Sequence, residues 1–514
     1  MTGNRLHRMP DNTVAIVGAG PSGLACARWL RAHGLEPLLF EAADQLGGQW
    51  NSLSPMSGVW PGMRTNTSRV TTAFSDMDHI EGTATYPRHD EMLAYLERYA
   101  EHFDLLRRIR TRVRVEHLSR GDDGLWHIHS NTDGVIRRES FRRAIVATGR
   151  HVAPDVPDIA GIESFCGSFG AAHTSHYYGP ERLRGRSVVV AGCSISALEI
   201  AAEIALAGAA QVSVSYRRQR YVLPKLIKGV PTESVMFTRA AAIAAERCPP
   251  DIAAEALKAM VLNAAGSPEQ FGARKPHENI FAAGITQSQN FLPAVAEGRI
   301  VTRPWIERID GRTVHFADGS AVEADALFLG TGYRLSLPFL SPELAETVEL
   351  DTANMTLHDF TLHPDLPGLA FAGLIDLVGP FFPAIELQAR WIAYSFAGIA
   401  ARPTPEKLAM GLSRSRAART FGPAVPTHVA ALAFARNAGI EPSLEHYPEL
   451  ERALLFGPLS AISFRLEGPD RLPNASYLAK KAAAEFGAIT SEDFTAEERN
   501  IRDMLRAAAA MAAA

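Results

Sequence analysis

At 514 residues the chain is too long for one compact core, so two or three domains are expected. Hydrophobic residues make up 46% and charged residues 21%, a globular balance that excludes a disordered chain. The net charge of −4 is not concentrated in blocks, and the short basic run Arg107 to Arg114 reads as a solvated strand face, so no nucleic-acid partner is expected.

Met1 to Asn12 is polar and lacks the apolar centre of a signal peptide. No run reaches the roughly 18 apolar residues that span a bilayer. A cytoplasmic, soluble protein without a membrane partner is the expectation. Cys26, Cys166, Cys193 and Cys248 form no C-x-x-C pair, which predicts neither a metal site nor a redox disulfide, only buried free thiols.

The β-branched run Thr13 to Val17 predicts a buried strand, and Gly18-Ala19-Gly20-Pro21-Ser22-Gly23 follows at once. A helix pattern runs from Leu24 to His33 and stops at Gly34; Glu36 to Phe40 is a second strand that ends in Glu41. Each part has a physical task. Gly18 permits the tight turn, Gly20 lets backbone approach a pyrophosphate, and Gly23 lets helix and strand pack closely. The helix start presents free N–H groups and a positive dipole end to phosphates. Glu41 can accept both ribose hydroxyls, and its charge would repel a 2′-phosphate, so this site wants FAD or NAD. The Gly47-Gly48-Gln49-Trp50 turn would let the chain run beside a flat cofactor.

Ser187 to Ala191 predicts a second buried strand, leading into Gly192-Cys193-Ser194-Ile195-Ser196-Ala197. Ser194 and Ala197 stand where the second and third glycines usually stand. Leu198 to Ala207 is the helix and Gln211 to Tyr216 the next strand, which ends in Arg217-Arg218-Gln219-Arg220 rather than an acid. Arginine there holds a 2′-phosphate bidentately, so NADPH is favoured over NADH. Apolar strands ending in Thr-Gly bracket this fold, at Ala144 to Gly149 and Ala326 to Gly332. They predict a chain that leaves the first domain, builds the second and returns. The expected class is therefore α/β, with two Rossmann-like dinucleotide-binding domains, the FAD domain discontinuous and the NADPH domain inserted, plus a C-terminal extension. The expected boundaries are 1–170 and 326–403 for the FAD domain, 171–325 for the NADPH domain with a helical insertion at about 232–272, and 404–514 for a mostly helical extension punctuated by Pro423, Pro426, Pro442 and Pro448.

In order along the chain, these segments resemble the flavin-containing monooxygenase family, the class B flavoprotein monooxygenases. The resemblance spans Val14 to Pro403 and includes Arg64-Thr65-Asn66-Thr67, Ala147-Thr148-Gly149 with Pro154 and Pro157, Leu366 to Gly373, and Pro383 to Trp391. Phe165, Gly167, His173 and Tyr177 look like the family signature. However, two extra residues separate Gly167 from His173, and Tyr178 replaces the usual basic residue. The resemblance implies FAD and NADPH as cofactors, with cofactor contacts at Gly18, Gly20, Pro21, Ser22, Gly23, Glu41, Gly48, Gln49, Trp50, Thr67, Val113, Thr148, Gly192, Ser194, Ser196, Ala197, Arg217, Arg218 and Gln388.

It also implies that NADPH reduces the flavin, which captures O2 as a C4a-hydroperoxide and passes one oxygen to a nucleophilic nitrogen or sulfur of a small substrate. Asn66 is the residue expected nearest the reactive flavin carbon. Asp376 is expected near the ribityl or phosphate region, and a helix opened by Pro383 would aim its dipole at the flavin carbonyl. Baeyer–Villiger enzymes are the near alternative, but they end the signature in Trp where Tyr177 stands and carry an acid where Asn66 stands. A non-oxygenating FAD/NADPH reductase is a further alternative, opposed by the missing cysteine pair, and a non-catalytic redox sensor is opposed by the intact cofactor turns. A homodimer is an open expectation.

Overall fold

Thr13–Val17 (β1) is buried at all five positions, as a strand covered on both faces must be. In the computed structural model, which describes residues 6–419 and 424–513, the last six by backbone alone, β1 is the middle strand of the first sheet. Met1 to Arg5 and Pro423 lie outside the described residues. Pro21–Ala32 (α1) follows with Pro21 in its first turn, where the missing N–H has no partner to lose. Glu36–Phe40 (β2) pairs parallel with β1. After His89–His102 (α2), the short Ile109–Arg110 (β3) extends that edge. Arg114–Arg120 (β4), Trp126–Thr132 (β5) and Val135–Phe141 (β6) form an antiparallel meander. Arg143–Val146 (β7) then joins the other edge of β1.

The second sheet begins at Ala171–His173 (β8) and Ser187–Ala191 (β9). Ile195–Leu206 (α3) and Gln211–Ser215 (β10) follow. The stretch after Pro231 folds as Glu233–Met236 (α4), Arg239–Arg247 (α5) and Pro250–Ala265 (α6) before the chain returns to Ile300–Arg303 (β11) and Ala326–Leu329 (β12). The order is β8-β12-β9-β10-β11, all parallel. Leu369–Phe371 (β13) then closes the first sheet against β7, giving β13-β7-β1-β2-β3. The molecule is thus α/β with two Rossmann-type sheets, and the first sheet is completed only after the second.

Phe381–Ala397 (α7) packs on α1 and carries the buried Trp391; after Pro405–Ala418 (α8), Thr427–Ala438 (α9) brings Phe434 to stack at 6.1 Å on it. The extension continues with the helices Glu451–Phe456 (α10), Ala475–Ala484 (α11) and Ala496–Ala513 (α12). The extension is tied to the first domain by charge. Fully buried Arg390 of α7 donates to Phe464 O at 2.8 Å and to the Tyr394 hydroxyl at 3.2 Å. Tyr394 in turn donates to Asp470 at 2.5 Å, and His33 completes the group 3.0 Å from the same carboxylate. A buried cation needs such partners, and here the extension provides Phe464 O directly and Asp470 through Tyr394. The insertion is tied to the extension in the same way, through Arg239 to Pro442 O at 2.8 Å and Glu441 at 2.7 Å, and through Arg436 to Glu246 at 2.6 Å. Among the described residues no helix is long and apolar enough to cross a membrane.

Two local expectations change. The run Arg107 to Arg114 is not one strand: Leu106–Arg108 is a 3-10 turn, and only Ile109–Arg110 joins the sheet. Its charges are answered by acids on neighbouring elements, Arg108 by Glu36 at 2.9 Å and Arg110 by Glu139 at 2.8 Å. Of the four thiols, Cys26 and Cys193 are buried as expected, but Cys166 and Cys248 are exposed. Both sit at the ends of short connecting segments rather than on a packed face.

His428 of α9 is buried against Phe237 at 5.3 Å, its Nδ1 has no partner among the described residues, and desolvation pushes its pKa down to about 4. The unfolded chain takes up that proton near 6.5, whereas the fold resists it down to about 4. Its neutral burial therefore weakens the protein as pH falls from 6.5 towards 4, by about 2 kcal/mol at pH 5. Urea titrations at pH 7 and pH 5 should show that much less acid sensitivity in His428→Phe than in the parent. Equal losses would remove this role.

Candidate functional site

The first glycine turn is packed too tightly for side chains. Gly18 has φ +108°, and a Cβ there would lie 2.5 Å from Ala147 O and 3.3 Å from Thr148 Cα. At Gly23 a Cβ would fall 2.1 Å from Gly18 O, so this glycine sets the strand-to-helix distance. The Gly47–Trp50 turn closes on it: Gly47 N–H donates to Ala19 O at 3.0 Å, and a Cβ at Gly48 would meet Gly20 Cα at 2.9 Å. Pro21 and Ser22 occupy the first turn of α1, which no side chain caps, leaving its N–H groups free for an anion.

Glu41 lies at the end of β2. Its Oε2 accepts from Ala19 N–H and its Oε1 from Ala43 N–H, both at 2.8 Å. These bonds fix the carboxylate and leave each oxygen a further lone pair for a ribose hydroxyl. Val113 is brought beside it, its N–H donating to Glu41 O at 2.8 Å. The Thr148 hydroxyl, at the end of β7, is buried with no partner among the described residues. The open helix start, the anchored acid and the orphan hydroxyl fit an FAD with its pyrophosphate on α1. Asp376 lines a small cavity of about 40 Å³ with Arg150, Phe360 and Arg419.

In the second turn Gly192 has φ +129°, and a Cβ there would lie 2.2 Å from Gly330 O. Ala197 takes the third glycine's place without loss of packing, because the glycine has moved to the facing strand end: a Cβ at Gly330 would meet Ala197 Cβ at 2.7 Å. Ser194 is the N-cap of α3 and makes no side-chain cap bond, and Ser196 lies half-buried in the first turn. Arg217 and Arg218 are exposed at the strand end; Arg217 stacks 4.5 Å over Trp305, and Arg218 donates to Ala282 O at 2.6 Å. A third guanidinium joins them. Arg274 donates to Tyr216 O at 2.9 Å, immediately before Arg217. The residues fit the 2′-phosphate of NADPH. Arg274 was not singled out in the sequence, and its position two residues past the Gly272 helix stop is the only signal there.

Asn66 and Thr67 lie on the loop from Trp60 to Thr72. The half-buried Asn66 side chain has no hydrogen-bond partner among the described residues, so its amide is free to meet a ligand. Thr67 is buried beside it, and Gln49 and Trp50 are half-buried in their turn, Trp50 against the first core. Further on, the same segment is held by α7: Glu386, raised in pKa by its burial, accepts from Ser75 N–H at 2.7 Å. Gln388 is buried on α7. Its Oε1 accepts from Gly373 N–H at 2.9 Å, and its Nε2 donates to Thr361 Oγ1 at 2.8 Å and Phe371 O at 3.1 Å. The amide is therefore held inside the protein, where it shapes the Gly373 turn; a Cβ on Gly373 would fall 2.0 Å from Ser22 Oγ. The irregular segment from Phe165 to Tyr178 carries β8, and His173 bonds Gly332 O at 3.0 Å and Ser175 Oγ at 2.9 Å, which holds the end of β8 to the turn after its neighbour β12.

A family model described as flavin-binding monooxygenase-like matches residues 11–482. Among curated proteins, the N-oxide-forming dimethylaniline monooxygenase 2 of Pan troglodytes is 29% identical over 490 residues, 90% of each chain. Flavin-containing monooxygenase 5 of Mus musculus is 27% identical over 494 residues, 91% of each. Among solved structures, an S-allyl-L-cysteine S-oxygenase from Allium sativum matches with TM-score 0.61 at 22% identity, covering 96% of this chain and 98% of that one. A cyclohexanone monooxygenase from Rhodococcus sp. Phi1 bound to NADP+ matches with TM-score 0.64 at 17% identity, covering 85% and 98%.

Proposed function

The chain belongs to the flavin-binding monooxygenase-like family, and from that premise we propose that it oxygenates a nucleophilic nitrogen or sulfur of a small organic substrate. It is an NADPH-dependent FAD monooxygenase. The bound flavin supplies hydride acceptance and the activation of O2. What the chain adds is binding, orientation and shelter. Glu41 and the α1 start hold the adenosine and pyrophosphate of FAD; Arg217, Arg218 and Arg274 hold the 2′-phosphate of NADPH. Residues 1–170 with 326–403 serve as the FAD domain, 171–325 as the NADPH domain, and 404–514 as a C-terminal extension whose Phe464 and Asp470 meet Arg390 and Tyr394 of the first.

The observation that carries the proposal is Asn66. Its neutral amide stands unpartnered on the loop between the two cofactor turns, able to donate to an oxygen there without adding charge. A neutral amine or sulfide brings its own lone pair, so no general base is required of the protein. The N-oxide-forming relatives support the nitrogen branch. Following NADPH oxidation, O2 uptake and product with amines, sulfides and ketones tests the reading. Stoichiometric N- or S-oxide is expected; ester from the ketones alone, or NADPH consumption without O2 uptake, would overturn it.

A further inference from the structure

Two buried charged residues from the second domain converge on the Asn66 loop. Lys225, 8% exposed, lies with its Nζ 3.5 Å from Thr65 O and 2.8 Å from Glu199 of α3. The Thr65 carbonyl belongs to the peptide that enters Asn66. Glu233, the first residue of α4 and 1% exposed, accepts Ser68 N–H at 2.5 Å and the Thr71 hydroxyl at 3.3 Å. Only Asn66 and Thr67 lie between these anchors. A third contact follows upstream, where a Cβ on Gly62 would fall 2.0 Å from Glu203 Oε1, also on α3.

Burying these groups is costly, and packing alone would be served by apolar residues. Lys225 has Glu199 as counter-charge. Glu233 has no cation in hydrogen-bond contact, its Oε2 has no partner among the described residues, and desolvation raises its pKa. What it gains in return is a fixed direction for one backbone N–H. We infer that Lys225 and Glu233 are positioning residues that bracket Asn66, so that the second domain, together with the Pro87 and Thr85 carbonyls that accept from Thr65 and Arg69 N–H at 2.9 and 2.8 Å, sets where the Asn66 amide points. This rests on the role proposed for Asn66. It also links the NADPH side to that amide mechanically, because Glu199 and Glu203 stand on the helix whose start carries Ser194.

The test uses full-length, flavin-loaded protein as Glu233→Ala, Glu233→Gln and Lys225→Met. One readout is amide exchange of peptides covering residues 64–72, with residues 18–23 as internal control; the other is oxygenated product per NADPH. In Glu233→Ala, exchange at 64–72 should rise about tenfold with the control unchanged. Product per NADPH should fall about fivefold or more while KM for NADPH moves less than about twofold. Glu233→Gln keeps an acceptor for Ser68 N–H and should recover both to within about twofold of the parent. Lys225→Met should repeat the pattern more weakly, which keeps the inference decidable if Glu233→Ala loses flavin. Unchanged exchange overturns the bracket; raised exchange with unchanged product per NADPH overturns its bearing on Asn66. If the parent makes no oxygenated product, the role of Asn66 falls, and the exchange arm still decides whether the bracket holds the loop.

Discussion

Asn66→Asp is expected to lower oxygenated product about 100-fold while NADPH consumption falls less than about threefold. The two side chains are nearly isosteric, so the loop between Thr65 and Ser68 keeps its anchors. What changes is the hydrogen-bonding sense. The amide donates, and an ionised carboxylate only accepts. The carboxylate also places a negative charge beside a group that becomes more negative on reduction, in a half-buried site where such repulsion is poorly screened. Asn66→Ser removes the donor's reach without adding charge and should fall between parent and Asp. Rapid-mixing kinetics with parallel product and peroxide assays check the result: the lost product should appear as peroxide. Unchanged product per NADPH in both variants would remove Asn66 from the chemistry.

Arg217→Ala combined with Arg218→Ala is expected to lower kcat/KM for NADPH about 100-fold and that for NADH less than about threefold. Both residues are exposed just past β10; Arg217 lies over the Trp305 ring and Arg218 donates to Ala282 O. Their other donors are available to a phosphate. Arg274 remains in the double variant, bound to Tyr216 O, so discrimination should weaken without vanishing. Initial rates with both nucleotides test this. Equal losses with NADPH and NADH would mean that the arginines hold the domain together and do not read the phosphate.

What was legible in the sequence was local. The strand, turn, helix and terminal residue of each nucleotide fold lie within about 30 consecutive residues, and each residue type has a steric or electrostatic reason to be there. Glu41 against Arg217 is a contrast that one-dimensional pattern can show. The bracket of Asn66 could not be seen this way, because Lys225 and Glu233 lie 160 and 165 residues from their partners. Ala197 was visible as a departure from glycine, but its compensation at Gly330 needed the facing strand. Gln388 was singled out because its segment resembles a cofactor-side helix; periodicity cannot tell whether an amide on such a helix faces a ligand or the turn of Gly373. The C-terminal extension carries no motif at all, and its place against Arg390 and Trp391 depends on packing alone.

The late closure of the first sheet has a consequence for biosynthesis. Val146 pairs with Phe371, so the β7 edge waits for roughly 220 further residues to be made, about 10–45 s at ordinary ribosomal rates. During that interval β1, β2 and β7 can associate, but one flank of the apolar layer stays uncovered and one row of peptide groups unpaired. The inserted sheet has a shorter wait of the same kind: Val188 pairs with Ala326, about 140 residues on, and β12 arrives some 40 residues before β13. On this topology the sheet that starts second has all its strands synthesised first, so chain order and the order of sheet completion are opposite.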